Sequence, residues 1–566
     1  MQVNIEERLL VIKIIKFKSS PETKAEFFLT YAAYGASAII LVILFIENFI
    51  FSSGFDILRF REIDDVAFQD TLRRAHLAIS SDRFSHLLVI NDYAYGWIFW
   101  FPLVIVTYPF YLLSEHFLID WPLIVFPRQI SLGFGIASLF LLRKILKKYE
   151  TPEWGAAACV FVFLLFPSFG FSSLRFGTVN EVLFFCLLSL FLSVADDLSR
   201  LRGRLFIAIS LALAGGVKLS GLLIAPLVVV MVVIRYKYRS LAVLIRDLTL
   251  VTVVFFICLI ALSNPALIAY PFQIEYWQEY YKTLSYFIET TKQANGPLDP
   301  LTRGYNIFFG SVACLIYISL LFWGLCMRAV KADAKRLDLL AIIITLLCVV
   351  AYLFCFVRNG NSATLYFTSI SFLLLFGLPF LCDLPKGKII LGAVIFLELI
   401  DLSIRASSQA GPDIQATSLN HLTYFMKDFQ STHLIKESSR ISECIGAKDK
   451  KWAAHVFVDF TVPTGLNSLS FPNACISVAW NNLSPTGKYC GYRKIDYVVL
   501  DKLAPGALTQ NLFEAKIKSL SPKMASDLLI DRASRSTIIS GDYFDGHHFT
   551  KACDLDTVLV YQAKKE

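Results

Sequence analysis

The chain has 566 residues, of which 56% are hydrophobic and only 17% are charged. A soluble globular domain carries about 25% charged residues. Here apolar blocks recur at roughly the 20-residue length that crosses a ~30 Å hydrocarbon layer. These values exclude an ordinary soluble enzyme and indicate a polytopic α-helical membrane protein. The net charge of +8 lies in short Lys/Arg clusters of the kind that orient membrane spans, so we expect no nucleic-acid partner.

The N-terminal region predicts a retained first span. Residues 1–24 are mixed and charged and lack the short apolar core of a cleaved signal peptide, so the apolar block 27–50 is expected to stay as an anchor. Lysines precede this block and place the N-terminus in the cytosol. Segment 51–126 then lies outside. Its apolar stretch 96–115 is predicted to be an interfacial or re-entrant helix, because a full span there would move the basic cluster 143–148 to the outside.

The later basic clusters predict that the chain crosses the membrane back and forth from residue 127 to residue 404, with a second long outer segment at 266–302. A helix pair within 205–234 is expected to be broken at Gly215, Gly216 and Pro226. The total is about 11 transmembrane helices, an odd number that puts the C-terminus outside. The other spans are predicted at 127–146, 154–171, 180–196, 248–265, 303–325, 338–357, 364–381 and 388–404.

Composition changes at about residue 405, where polar residues become common and spans end. The segments VFVDFTV (456–462), DYVVLD (496–501) and TVLVYQ (557–562) are typical of strands. We therefore predict a transmembrane domain at 1–404 and an outer, soluble α/β domain at 405–566. Four of the 12 cysteines fall in this second domain, which favours two disulfides in an oxidising compartment with the pairing left open. They are Cys444, Cys475, Cys490 and Cys553.

Two adjacent carboxylates, Asp64 and Asp65, stand in the first outer segment. They open the amphipathic stretch 66–79, and a helix N-terminus stabilises nearby anions. A carboxylate placed there can accept a proton from an incoming hydroxyl. The plain alternative is a solvated loop that follows the first span.

Ionisable and polar side chains also mark the outer ends of other predicted spans. A polar turn that caps a helix, or cations that reach toward the membrane surface, would explain each of them separately. Together they predict a site at one membrane depth for a substrate with an anionic head and a lipid tail, in which cations hold a phosphate. The residues are Arg175, Asn180, Glu181, Lys218, Arg358 and Tyr366.

The order of these motifs resembles the GT-C superfamily of polyprenyl-phosphate-sugar-dependent glycosyltransferases, and most closely the protein O-mannosyltransferases and aminoarabinose transferases. The acidic pair in EIDDVAF (62–68) is similar to the pair that the family carries in its first outer loop. The stretches NDYAYGWIFWFPL (91–103), RQISLGFGIASLFLLRKIL (128–146), SSLRFGTVNEVLFF (172–185) and GGVKLSGLLIAPL (215–227) are similar to segments that follow in the family. Asn180 stands where the family often has an acidic residue, and Glu181 is next to it.

The resemblance implies an inverting sugar transfer from a polyprenyl-phosphate donor to a hydroxyl on the outer side. Asp64 would be the general base, and Asp65 would orient the acceptor or bind a cation. Lys218 and Arg358, with Arg175, would bind the donor phosphate, and Glu181 or Asn180 would supply the second polar group. No cofactor follows with certainty, and a divalent metal stays open. The implied partners are the lipid-linked donor, membrane lipid, and a glycolipid, glycan or protein acceptor.

Two other functions remain open from the sequence: a transporter or flippase of lipid-linked sugars, and a membrane scaffold that binds partners through residues 405–566. The sugar and the acceptor are not predicted, because aromatic residues can line a sugar site or the membrane interface. We favour a bacterial inner membrane with the second domain in the periplasm, and an ER membrane with a lumenal domain is the alternative. The candidate aromatic residues are Tyr93, Tyr95, Trp97, Trp277 and Tyr366.

Overall fold

A computed structural model shows a bundle of apolar helices followed in the chain by a mixed α/β domain. It describes residues 24–50, 71–281, 319, 387–407 and 440–564, apart from gaps at 73–74, 77, 81–86, 89–95, 118–120, 149–150, 166, 174–176, 196–200, 236–240, 279, 442, 446–453, 460–473, 480–494, 503–504, 519–521, 545 and 557. The predicted spans at 303–325, 338–357 and 364–381 lie outside these residues, except for residue 319, so the count of about 11 stays a prediction.

The described helices of the bundle follow the predicted spans closely. Three of them are long and apolar enough to cross a membrane: residues 26–49, 125–148 and 245–263. The helices are α1 (Lys24–Ile50), α2 (Trp97–Phe117), α3 (Trp121–Lys148), α4 (Glu153–Leu165), α5 (Pro167–Ser173), α6 (Val179–Ala195), α7 (Leu201–Val217), a 3-10 helix (Leu219–Ile224), α8 (Ala225–Arg235), α9 (Leu241–Ser263), α10 (Ala266–Ala269) and α11 (Gly387–Ser407).

One end of the bundle, which we term the basic end, is closed by ion pairs. Lys388 at the start of α11 binds Glu26 in the first turn of α1. Glu153, at the start of α4, binds Arg143 at 2.7 Å and Lys147 at 3.0 Å, both near the C-terminal end of α3. The ends of α1, α3, α4 and α11 therefore meet at one level, which the positive-inside rule predicts to be the cytosolic one.

At the opposite end of the bundle, the remaining ends of α1 and α3 meet the start of α6. We term this end the Asn180 end. Asn48 near the end of α1 donates to the Ser173 carbonyl at 3.1 Å. Asn180 in the first turn of α6 donates to the Ser131 carbonyl near the start of α3 at 3.0 Å. At its other end α6 lies beside the basic end of α3, where Lys144 lies over the Phe191 ring. Each of these helices therefore runs from one end of the bundle to the other, as the sequence predicts.

Helix α2 has both of its ends at the Asn180 end. Gly96, just before α2, donates its N–H to the carbonyl of Val217 at the C-terminal end of α7. Near the other end of α2, Phe110 stacks on Phe126 in the first turns of α3. An apolar helix with this placement lies along one end of the bundle, which agrees with the predicted interfacial helix at 96–115.

The helix pair at 205–234 is broken at a different place from the predicted one. Gly215 and Gly216 are helical and belong to α7, which continues to Val217. The chain leaves the helix at Lys218, whose φ of −157° and ψ of 132° are extended. The two glycines permit close packing instead, because a Cβ at Gly216 would lie 2.9 Å from the Leu262 Cβ of α9.

The second domain contains a six-stranded mixed sheet in the order β2-β1-β3-β6-β5-β4. Its parallel half pairs β1 with β2 and β3, and its antiparallel half pairs β6 with β3 and β5. The three predicted strands correspond to β1, β3 and β6, whereas β2, β4 and β5 were not predicted. The strands are β1 (Ala454–Asp459), β2 (Ala474–Ala479), β3 (Tyr497–Asp501), β4 (Tyr543–Phe544), β5 (His547–Asp554) and β6 (Val558–Ala563); the helices are α12 (Gln510–Lys518) and α13 (Pro522–Ser540).

Two features fix the α/β domain. Arg535 of α13 is buried, binds Asp531 at 2.7 Å, and donates to the Asp501 carbonyl at the end of β3 at 3.1 Å. Cys444 and Cys553 form a disulfide across 109 residues of chain. Cys475 lies in β2, and Cys490 is outside the described residues, so a second disulfide stays a prediction.

Candidate active site at the Asn180 end

Asn180 is the centre of a buried hydrogen-bond network. Its amide donates to the Ser131 carbonyl at 3.0 Å and to the Ser173 Oγ at 3.2 Å. Its Oδ1 accepts the Ser172 hydroxyl at 2.8 Å. Both N–H donors are therefore occupied by α3 and α5. The amide is suited to hold these helices in place around the start of α6.

The Asn180 side chain also depends on a close approach between α3 and α6. A Cβ at Gly135 would lie 3.1 Å from the Asn180 Nδ2 and 3.1 Å from a ring carbon of Phe169. The glycine leaves the space in which the amide and the aromatic ring pack. The segment SLGFG (131–135) of α3 therefore contributes both to the apolar span and to the space that the hydrogen-bond network needs.

Glu181 follows Asn180 and is buried in the first turn of α6. Its Oε2 has no hydrogen-bond partner within the described part of the chain. Burying an unpaired carboxylate is costly, so residues of this kind inside membrane proteins are functional candidates. Its place at a helix N-terminus favours negative charge there.

Lys218 stands at the corner between α7 and the 3-10 helix. Its carbonyl accepts the Gly221 N–H at 2.8 Å, and its own N–H donates to the Ala214 carbonyl at 3.3 Å. These bonds fix the backbone while the side chain is half-buried. The Cys186 thiol in the N-terminal half of α6 contacts the Gly221 carbonyl at 3.6 Å, three residues after Lys218, and this contact places the lysine at the Asn180 end.

Trp97, the first residue of α2, lies next to the hydrogen bond between Gly96 and Val217. A Cβ at Gly96 would lie 1.6 Å from the Gly216 carbonyl oxygen, so this approach requires glycine. The Trp97 indole N–H donates to the Leu87 carbonyl at 2.9 Å, and its ring stacks on Phe101. The donor of the indole is thus used within the protein, and only its ring surface remains for a ligand.

The structure therefore brings Asn180, Glu181, Lys218 and Trp97 to one end of the bundle. Trp277 is also described; it is exposed, and its indole N–H donates to the Pro271 carbonyl at 3.1 Å. The other candidates lie outside the described residues, and their places stay predictions. These are Asp64, Asp65, Tyr93, Tyr95, Arg175, Arg358 and Tyr366. Among the described residues, no three His, Cys, Asp or Glu side chains form a metal-binding group.

Two buried ionisable residues at this end were missed by the sequence analysis. Glu47, near the end of α1, is fully buried, and neither carboxylate oxygen has a hydrogen-bond partner in the described ranges. His76 is buried in the helical residues between 71 and 80, and its Nε2 lies 2.9 Å from the Thr107 Oγ1 of α2. An acidic residue inside a predicted span was a usable signal for Glu47, whereas His76 carried none.

The Thr107 hydroxyl settles the direction of this bond. It donates to the Leu103 carbonyl at 2.6 Å within α2, so it accepts from the Nε2–H of His76. Desolvation by burial lowers the pKa of His76 to about 4, and a backbone hydrogen bond to Val104 offsets part of this shift. The ring is therefore neutral at physiological pH and holds its segment against α2.

No family model and no curated protein matches the sequence. Among solved structures, the chain is similar to ArnT from Cupriavidus metallidurans, an aminoarabinose transferase whose crystal structure contains undecaprenyl phosphate. The TM-score is 0.53 and the sequence identity 12%, with 94% of this chain and 98% of ArnT covered. Both the helical bundle and the second domain fall within this match. The chain therefore shares the overall fold of ArnT.

Proposed function

We propose that the chain is an inverting glycosyltransferase that moves a sugar from a polyprenyl-phosphate donor to an acceptor hydroxyl. The observation that carries this proposal is the GT-C fold, which extends over 94% of the chain and is shared with a protein bound to undecaprenyl phosphate. The gathering of Glu181, Lys218 and Trp97 at one end of the bundle supports it. We assign that end to the outer, periplasmic side.

The proposed reaction is a single displacement at the anomeric carbon. The acceptor oxygen attacks this carbon from the face opposite the phosphate and passes its proton to the Asp64 carboxylate. The bond between the anomeric carbon and the phosphate oxygen breaks, and polyprenyl phosphate leaves. Lys218, together with Arg358 and Arg175, would stabilise the charge that grows on this phosphate.

The described geometry refines the other assigned roles. Glu181 has one carboxylate oxygen with no partner among the described residues and is the second acidic group that we assign to the acceptor side. Asn180 holds Glu181 in position, since both of its amide protons are bound within the protein. Trp97 would contact the sugar only through its ring face, and Tyr93, Tyr95 and Tyr366 are the other side chains that we assign to the sugar.

Transfer by the purified, reconstituted chain with a labelled polyprenyl-phosphate sugar tests the proposal. We expect product with inverted configuration, its loss in Asp64→Asn, and a large decrease in kcat in Lys218→Met. Lys148→Met, at the basic end, is the matched control and should turn over normally. Chelator and added Mg²⁺ or Mn²⁺ decide whether Asp65 binds a divalent cation.

The same preparation separates the enzyme from a flippase of lipid-linked sugars. A flippase would move the labelled donor across the bilayer without turnover, and Asp64→Asn would leave that movement intact. Turnover without net transport supports the enzyme. A chain that moves donor but never cleaves it would contradict the proposal.

For the α/β domain we propose a role in binding the acceptor near the active site. Deletion of residues 405–566 should then abolish transfer and spare hydrolysis of the donor by water. A domain that serves only for stability would lower both rates together. Comparing the two rates in one preparation distinguishes these roles.

A further inference from the structure

A cavity of about 330 Å³ lies between three helices near the basic end, away from the candidate active site. One face of α7 from Arg204 to Leu211 lines it, together with one face of α8 from Ala225 to Val232 and one of α9 from Asp247 to Phe256. Almost all of these side chains are apolar. We term this cavity the α7–α9 slot.

The slot exists because small side chains face it and one side is open. Ala208 of α7 and Ala225 of α8 have short side chains that leave space between these two helices and α9. Val229, Leu248 and Phe256 line the slot and are each partly exposed at its rim, so the opening faces the apolar outer surface of the bundle. An apolar space offers water few hydrogen-bond partners, whereas a hydrocarbon chain can fill it favourably.

Charged groups stand at one mouth of the slot. Arg204 binds Asp247 at 2.6 Å, and Arg246 binds the other oxygen of the same carboxylate at 3.2 Å. Arg204 and Asp247 are buried, but the Arg246 side chain is 75% exposed. The Arg246 guanidinium therefore has N–H donors directed outward, and this group suits a phosphate oxygen.

We propose that the α7–α9 slot binds an anionic phospholipid, with an acyl chain among the apolar side chains and its phosphate on Arg246. Basic pockets between transmembrane helices on the cytosolic side commonly bind such head groups. Arg204 is 14 residues from Lys218 along α7 and its end, about 21 Å at the helical rise. A donor lipid with its phosphate at Lys218 has its head group at the other end of the bundle, so the slot is a separate site.

The test uses the full chain, purified in detergent and supplied with phosphatidylglycerol, phosphatidylcholine or undecaprenyl phosphate. Native mass spectrometry measures the bound lipid, and thermal unfolding measures its stabilising effect. Arg246→Gln removes the proposed phosphate contact at the slot residue Asp247. Arg202→Gln is its control, because Arg202 is also exposed near the start of α7 but lies over the ring of Phe206, which does not line the slot. Val229→Trp fills the slot, and Val253→Trp places the same bulk on an exposed face of α9 outside it.

We expect phosphatidylglycerol to bind in preference to phosphatidylcholine, and Arg246→Gln to weaken its binding about tenfold, the effect of losing one charged hydrogen bond. Val229→Trp should lower retention of phosphatidylglycerol, while Val253→Trp and Arg202→Gln retain it. Each variant is compared with its control in lipid-free detergent, so a general loss of folding is recognised.

Three results would overturn the proposal. Equal retention of the two phospholipids would mean ordinary contact with bulk lipid. Unchanged binding in both Arg246→Gln and Val229→Trp would place the lipid elsewhere. Displacement of phosphatidylglycerol by undecaprenyl phosphate, with both lost in Arg246→Gln, would make the slot a polyprenyl-phosphate site. None of these readouts depends on glycosyl transfer.

Discussion

At the residue scale, the difference between Asn180 and Glu181 lies in their hydrogen-bond partners. The two side chains are adjacent in the sequence and are both buried. The Asn180 amide bonds to α3 and α5, whereas Glu181 keeps an unpartnered oxygen within the described part of the chain. From the sequence alone, Asn180 and Glu181 are equal candidates for the site. The hydrogen bonds give Asn180 a structural role and leave Glu181 as the candidate for chemistry.

Asn180→Ala should destabilise the bundle by about 1–3 kcal/mol, the cost of leaving buried partners unsatisfied. Ser131 and Ser172 would each lose a bond to the amide. The midpoint of thermal unfolding checks this, with Ser138→Ala as control, because Ser138 only donates to the Phe134 carbonyl of its own helix. An unchanged midpoint with lost turnover would instead place Asn180 in contact with substrate.

His76 predicts a loss of stability in acid. Its pKa is lowered to about 4 in the folded protein from the ordinary value of 6.5. The unfolded chain therefore binds a proton first as pH falls, so the contribution of the neutral ring is complete above pH 6.5 and is lost between pH 6.5 and 4. The shift corresponds to on the order of 3 kcal/mol.

Thermal unfolding of the wild type and His76→Gln across this pH range measures the effect. The glutamine should abolish the His76 share of the pH dependence, since it has no charge to gain, and the two curves should converge toward pH 4. Parallel curves over the whole range would contradict the assigned burial of the ring.

At the element scale, glycines determine how the bundle ends meet. The start of α2, the end of α7, the 3-10 helix and the end of α9 approach so closely that side chains would collide at Gly96, Gly216 and Gly221. These contacts set the position of Lys218 relative to Trp97. The sequence suggested helix breakers at Gly215 and Gly216, because glycine is a poor helix former. Packing between helices decided otherwise, since α7 continues through both.

Gly96→Ala should lower both stability and activity. Its Cβ would lie 1.6 Å from the Gly216 carbonyl oxygen, and relief requires α2 to move away from α7, at a cost of roughly 1–3 kcal/mol. Gly133→Ala in α3 is the control, because nothing lies within 4 Å of its added Cβ and alanine favours the helix by about 1 kcal/mol.

Thermal unfolding and turnover of both variants check this prediction. A Gly96→Ala chain that keeps the wild-type midpoint and turnover would show that the contact between α2 and α7 is loose. In that case Lys218 would not depend on α2 for its position.

At the scale of the whole molecule, the chain joins a helical bundle to a mixed-sheet domain. The match to ArnT covers 94% of this chain at 12% identity. So low an identity shows that the order and packing of elements are retained while most side chains differ. Sugar and acceptor specificity therefore cannot be transferred from the neighbour.

The disulfide Cys444–Cys553 should be a main support of the α/β domain. Its removal as Cys444→Ser/Cys553→Ser should destabilise that domain by about 4–5 kcal/mol, because the bond closes a loop of roughly 100 residues in the unfolded chain. Limited proteolysis of the domain with and without reductant checks this. Cys258→Ser, which removes a free cysteine of α9, is the control.

Reductant should then sensitise the wild-type domain more than the double variant, which keeps only Cys475 and Cys490 in this domain. Equal protease resistance in all samples would mean that the sheet and its core suffice alone. The same experiment reports on the compartment, since a domain that needs this bond requires an oxidising environment.

The sequence by itself determined the membrane class, the positions of the described bundle helices and the strands β1, β3 and β6. These follow from hydropathy, segment length and the bias of Lys and Arg, which are local properties that a bilayer enforces on any chain. The tertiary structure alone decided which polar groups meet. Asn180 binds Ser131 at a separation of 49 residues, Glu47 is buried without a described partner, and the α7–α9 slot opens between helices whose sequences are uniformly apolar. Such contacts depend on how helices are rotated and spaced against each other, and that information is spread over the whole packed bundle.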